Sequence, residues 1–119
     1  MVNGRELVVD LEDIEDIALI KDLENLYPLA KSLIKNLNLT VLDSITHQFK
    51  NRNDKNKNDG YTGLYMLSES HLTFHSYVEA KCISINLYTC NLTTDFDEAL
   101  HIIFSYFNKP FIFKQVIKR

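Results

Sequence analysis

The sequence predicts an α+β domain, a two-layer sandwich with two helices on one face of a largely antiparallel sheet, in the order β-α-β-β-β-α-β. Three observations predict it. Residues 81–90 alternate strictly, with Ile83, Ile85 and Leu87 on one face and Cys82, Ser84, Asn86, Tyr88 and Cys90 on the other. That is the period of a half-buried strand. Residues 14–37 and 96–107 instead place their apolar side chains at helical spacing. The strand-like runs gather between those two stretches, so the helices segregate to one side of the sheet.

The elements follow in order. Glu6 to Leu11 reads as a short β-branched strand. In the first helical stretch Ile17, Ala18, Leu23, Leu26, Tyr27, Ala30, Leu33, Ile34 and Leu37 line one side, and Pro28 interrupts it. An interior proline costs about 3 kcal/mol. The stretch is therefore either a short helix followed by a main helix starting near Pro28, or one kinked helix. Leu39 to Phe49 reads as the next strand. Lys50 to Gly60 has no apolar residue and is dense in asparagine, a solvated hairpin loop. Its charges nearly cancel, which disfavours a phosphate-binding role.

Tyr61 to Ser68 and His71 to Tyr77 read as strand with a turn or bulge between them, and Lys81 to Cys90 as the cleanest strand. Thr94-Asp95-Phe96-Asp97 resembles a capping box. The helix after it carries Phe96, Ala99, Leu100, Ile103, Phe104 and Phe107 on one face and stops at Asn108-Lys109-Pro110. Phe111 to Ile117 is the last strand. The polar face of the 82–90 strand needs a cover, and a second copy of the chain is the simplest one.

A chain of 119 residues is a single domain, 1–119, large enough to bury a core without staples. Its formal net charge of -3 lacks the basic excess of nucleic-acid domains. Two cysteines are too few for a disulfide scaffold. No run of apolar residues is long enough to span a membrane, and Met1 to Glu6 lacks a signal peptide's apolar core. The expectation is a cytoplasmic protein in a reducing compartment.

The chemistry concentrates in Leu67-Ser68-Glu69-Ser70-His71-Leu72-Thr73-Phe74-His75, with Cys90 following at a distance. Two serines, two histidines and a carboxylate in what otherwise reads as buried strand are expensive to bury without a reason. Ser70 is a hydroxyl nucleophile, His75 a candidate base five residues on, and Cys90 a thiol able to deliver a proton. In a flat strand residues 70 and 75 point to opposite faces, so the geometry asks for a sharp turn at 69–70. His71, His75, Glu69 and Cys90 match no common metal spacing, and no metal is expected. His71 and His101 read as ordinary boundary residues.

This run resembles the small bacterial and archaeal S-adenosylmethionine decarboxylases, pyruvoyl-dependent enzymes made as proenzymes. The resemblance covers nearly the whole chain, from Gly4-Arg5 through His47-Gln48-Phe49, strongest from Gly63 to His75, and on to Cys90. It implies self-cleavage between Glu69 and Ser70 into a beta chain, 1–69, and an alpha chain, 70–119. It further implies that Ser70 becomes a covalent pyruvoyl group, the only cofactor, which binds the substrate amine as a Schiff base and acts as electron sink. In the same way His75 is the processing proton acceptor, Thr62 the hydroxyl that assists the acyl shift, and Cys90 the proton donor in decarboxylation. Phe49, Tyr77, Glu79 and Asp10 are the implied substrate-binding residues. The implied product is the aminopropyl donor for polyamine (spermidine) synthesis, and the implied assembly is a homodimer.

The chain departs from the family pattern at several of these positions. Tyr77-Val78 stands where the family has tryptophan and proline, Asp10 replaces a glutamate and Glu6 a histidine. Two alternatives therefore accompany the first reading. One is an ornithine or arginine decarboxylase on the same scaffold. The other is an unprocessed homologue that regulates an active partner.

Overall fold

The computed structural model describes residues 3–50, 59–108 and 110–119. Its elements are β1 (Arg5–Glu12), α1 (Ala18–Lys21), a 3-10 turn (Leu23–Asn25), α2 (Leu26–Asn36), β2 (Val41–Gln48), β3 (Tyr61–Leu67), β4 (Ser70–Tyr77), β5 (Cys82–Thr89), α3 (Phe96–Tyr106) and β6 (Phe111–Lys118). The strands form one sheet in the order β2-β3-β4-β5-β1-β6. Every pairing is antiparallel. One face carries the core. Leu7, Val9 and Leu11 of β1, Leu72 and Phe74 of β4, and Ile83, Ile85 and Leu87 of β5 are buried there with Leu29 and Leu33 of α2 and Ala99 and Ile103 of α3. The helices thus form a single layer on that face.

Four strands, not three, separate α2 from α3. The run 61–77 is two strands, because the chain reverses at Ser68 and Glu69. Both turn residues are held by neighbouring segments: Ser68 N donates to Thr40 O at 2.9 Å, and Cys90 N donates to Glu69 O at 3.2 Å. No glycine, proline or asparagine marks this turn. Residues 14–37 form the separate short helix and main helix. The main one starts at Leu26, so Pro28 lies in its first turn, where a missing N–H is harmless. The cap of α3 is Asp95, one residue later than the Thr94 box suggests, and its carboxylate accepts from Glu98 N at 3.1 Å. The loop expected at 50–60 falls largely on residues 51–58, outside the described residues.

Close packing of α2 on the sheet depends on Gly63. A Cβ at that position would stand 2.6 Å from Leu26 Cδ2. The opposite sheet face carries no helix from the described residues. It presents Glu6, Val8 and Asp10 of β1, His71, Thr73, His75 and Tyr77 of β4, and Ser84, Asn86 and Tyr88 of β5, all partly or fully accessible.

Candidate active site

The turn between β3 and β4 delivers the first half of the site. Ser70 is the first residue of β4 and pairs with Thr89, the last of β5. Its Oγ hydrogen-bonds to the carbonyl oxygen of Glu69. That hydroxyl also accepts the amide N–H of Cys90 at 3.1 Å. The Cys90 thiol donates to the same Glu69 carbonyl at 3.1 Å. Cys90 lies one residue past β5, so the chain has already left the strand and the thiol turns towards the 69–70 bond. The Glu69 side chain is held too: Ser68 Oγ donates to its carboxylate, and Thr40 N approaches Oε1 at 3.4 Å. A hydroxyl, a thiol and a backbone N–H thus converge on one peptide carbonyl. This donor set fits a serine that attacks the preceding peptide bond and becomes the carbonyl group implied for residue 70.

The other residues singled out from the sequence gather elsewhere, on the open sheet face. Thr62 of β3 pairs with His75 of β4, and Thr62 Oγ1 lies 2.5 Å from His75 Nδ1. The Phe49 ring stands edge-on to His75 at 6.0 Å and to His47 at 4.7 Å. Tyr77 meets His75 edge-on at 4.6 Å. Asp10 belongs to the same transverse row, because His47, Thr62, His75, Ser84 and Asp10 are successive partners across five strands. Asp10 Oδ1 accepts from Ser84 Oγ at 2.8 Å. Glu79 lies apart, exposed in the turn between β4 and β5.

The expected approach of His75 to Ser70 within one chain does not occur. The turn falls before Ser70, so both residues belong to one uninterrupted strand. Five strand residues span about 17 Å and reverse the facing. Ser70 shares parity with Leu72, Phe74 and Ser76 on the helix side, and His75 points to the open side. The site residues therefore form two half-sites: Glu69, Ser70 and Cys90 at one end of β4, and Thr62, His75, Phe49 and Tyr77 at the other.

Comparison with known proteins names the family. The S-adenosylmethionine decarboxylase family model matches residues 5–119. The chain belongs to the S-adenosylmethionine decarboxylase family. It is 30% identical over 100 residues to an S-adenosylmethionine decarboxylase proenzyme of Picrophilus torridus, covering 84% of this chain and 71% of that one. It is 29% identical over 116 residues to the proenzyme of Aquifex aeolicus, covering 98% and 80% respectively. The crystal structure of the adenosylmethionine decarboxylase from Aquifex aeolicus superposes with a TM-score of 0.83 at 28% identity, over 98% of this chain and 90% of the other. The two-layer α+β architecture is thus that of a solved adenosylmethionine decarboxylase.

Within this decarboxylase-family chain, several site neighbours were not visible in the sequence. His47 joins the Thr62–His75 row only through the β2–β3 register. Ser84 meets Asp10 only because β1, far away in sequence, inserts beside β5. His71, next to Ser70, stacks on Tyr88 with ring centroids 5.4 Å apart. The guanidinium of Arg119 lies 5.7 Å from the Tyr88 ring and 3.4 Å from Glu6. The second thiol, Cys82, is pushed up from its ordinary pKa by partial burial first and by the Glu12, Asp10 and Asp13 carboxylates second. It lies at the far end of β5 from the 69–70 bond. No helix among the described residues is long and apolar enough to cross a membrane.

Proposed function

We propose that the chain is a self-processing, pyruvoyl-dependent decarboxylase of S-adenosylmethionine, working in the cytoplasm as a homodimer and supplying the aminopropyl donor for spermidine synthesis. The carrying observation is the contact of Ser70 Oγ with the Glu69 carbonyl, flanked by Cys90. In a chain of this family, a hydroxyl placed there is poised for attack on its own preceding peptide bond.

Ser70 Oγ adds to the carbonyl carbon of Glu69 and gives up its proton, and the amide nitrogen leaves as an amine, converting the peptide to an ester. The Cys90 thiol and amide N–H stand where they stabilise charge that develops on the Glu69 oxygen and Ser70 Oγ. A base then removes the Cα proton of residue 70. The Cβ–O bond breaks, releasing the Glu69 carboxylate and leaving a dehydroalanine. Water replaces its nitrogen, ammonia departs, and a ketone remains at the head of 70–119. That pyruvoyl group supplies the electron sink for loss of carbon dioxide. Cys90 protonates the substrate carbon that carbon dioxide leaves. Phe49 and Tyr77 offer flat faces to the nucleoside, and Asp10 and Glu79 offer carboxylates to its hydroxyls.

The base is the reason for the dimer. His75, with Thr62 on its Nδ1, lies a strand's length from the Ser70 of its own chain. A second copy related by a two-fold axis, with its Thr62, His75 and Phe49 reaching the turn end of the first copy's β4, brings the base to the Ser70 of the first. Self-complementarity about a two-fold axis then builds two equal sites.

Intact mass of purified protein tests the reading. The expected result is two fragments, 1–69 and 70–119, the second blocked at its N-terminus by a ketone. Ser70→Ala should remain one uncut chain. An uncut wild type after long incubation would favour the regulatory homologue. Carbon dioxide release from ornithine or arginine, with none from S-adenosylmethionine, would reassign the substrate.

A further inference from the structure

We infer that Gln48 is a positioning residue for the substrate, holding the Phe49 ring at the open face by cross-linking the base of the β2–β3 hairpin to the helix layer. The inference rests on the reading above that Phe49 stacks on the nucleoside.

One side chain here joins three separate segments. Gln48 Oε1 accepts Leu23 N at 2.6 Å, the first residue of the 3-10 turn. Its Nε2 then faces four carbonyl oxygens: Lys21 at 2.8 Å, Gly60 at 3.0 Å, Asp59 at 3.1 Å and Phe49 at 3.3 Å. An amide is the one neutral group that accepts at one end and offers two hydrogens at the other. A glutamate would turn a second oxygen against four carbonyls, and an apolar residue would leave them and Leu23 N unpaired.

The cross-link sits where it decides the place of Phe49. Phe49 is the first residue after β2, and its own N–H donates to Gly60 O at 2.8 Å, the oxygen that Gln48 also holds. Its side chain stands between two hollows. One, of about 490 Å³, lies towards Lys21, Glu24 and Asp59. The other, of about 300 Å³, lies towards Ile45, Thr62 and Leu64. Among the described residues the ring meets the edges of His47 and His75, and its backbone anchor sets where along them it stands. The other strand of the hairpin base is tied to the same corner, since Tyr61 N donates to Ser76 Oγ at 2.9 Å and Ser76 Oγ donates to Ile20 O at 2.6 Å. Small displacements of a positioning group are costly, and about 1 Å can lose two orders of magnitude in rate or affinity.

Steady-state kinetics with S-adenosylmethionine on Gln48→Met, Phe49→Ala and the double variant test this. Gln48→Met should raise KM about tenfold, with kcat and the extent of cleavage at 69–70 nearly unchanged, because it alters uniform binding. If Gln48 acts through Phe49, the double variant binds no worse than Phe49→Ala alone. Should Gln48→Met fail to fold, Gln48→Glu, which keeps the bond to Leu23 N, carries the same test. An unchanged KM in the folded Gln48 variant beside a raised KM in Phe49→Ala overturns the role of Gln48. So does a double variant whose losses add. An unchanged KM in Phe49→Ala overturns the stacking role of Phe49 instead.

Discussion

Two cysteine environments and one tyrosine environment show how single residues divide between scaffold and chemistry. Cys90 is exposed and touches the Glu69 carbonyl, whereas partial burial first and three carboxylates second push the Cys82 thiol up. Tyr61 is wholly structural. Its side chain is fully buried, its hydroxyl donates to Leu19 O at 2.8 Å, and burial, with Tyr106 second, holds its phenol well above the usual value of 10.0. A group raised in the folded state contributes stability that is complete below its unfolded pKa and declines as pH rises beyond it. Stability should therefore fall once pH passes about 10. Tyr61→Phe should cost about 1 kcal/mol at neutral pH, from the unpaired Leu19 carbonyl, and should make the alkaline decline shallower. Urea midpoints measured from neutral to alkaline pH check both halves.

At the scale of elements, the sheet owes its form to where chain reversals fall. α2 approaches β3 closely at Gly63, since a Cβ there would meet the buried Leu26 side chain. Gly63→Ala should force α2 outward and destabilise the fold by about 1–3 kcal/mol, read as a lower melting temperature with the cut at 69–70 retained. The strands were legible because their alternation is clean: Leu7, Val9 and Leu11 are buried as the period of two requires. A bend between β3 and β4 was legible too, but its exact place was not: it was expected at 69–70 and falls at Ser68-Glu69, fixed by Thr40 and Cys90, which are remote in sequence. That small offset carried over to the site. The family resemblance placed Ser70, Glu69 and Cys90 in one site, but the distance from Ser70 to His75 depends on which side of Ser70 the chain bends. Gln48 was unreadable for a related reason: most of its partners are backbone atoms of other segments, and backbone atoms leave no trace in residue identity.

For the whole molecule, one of the two half-sites lies at the turn end of β4, and the other is carried by the open sheet face. Ile45, Leu64 and Met66 are 66%, 44% and 53% exposed on it, beside the polar row that runs from His47 to Asp10. An apolar patch continuous with site residues is the expected anatomy of a surface that pairs with itself. A shared site makes a prediction that a single-chain site cannot. Ser70→Ala and His75→Ala should each stay uncut alone. Co-expressed, they should form mixed dimers in which Ser70 of the His75→Ala chain meets His75 of the Ser70→Ala chain. The His75→Ala chain alone should then be cleaved, while the Ser70→Ala chain stays intact. Mass spectrometry of the mixture, with one chain tagged, distinguishes the two. If neither chain is cut in verified mixed dimers, His75 does not reach Ser70 across the interface. If His75→Ala cleaves by itself at the wild-type rate, another group is the base.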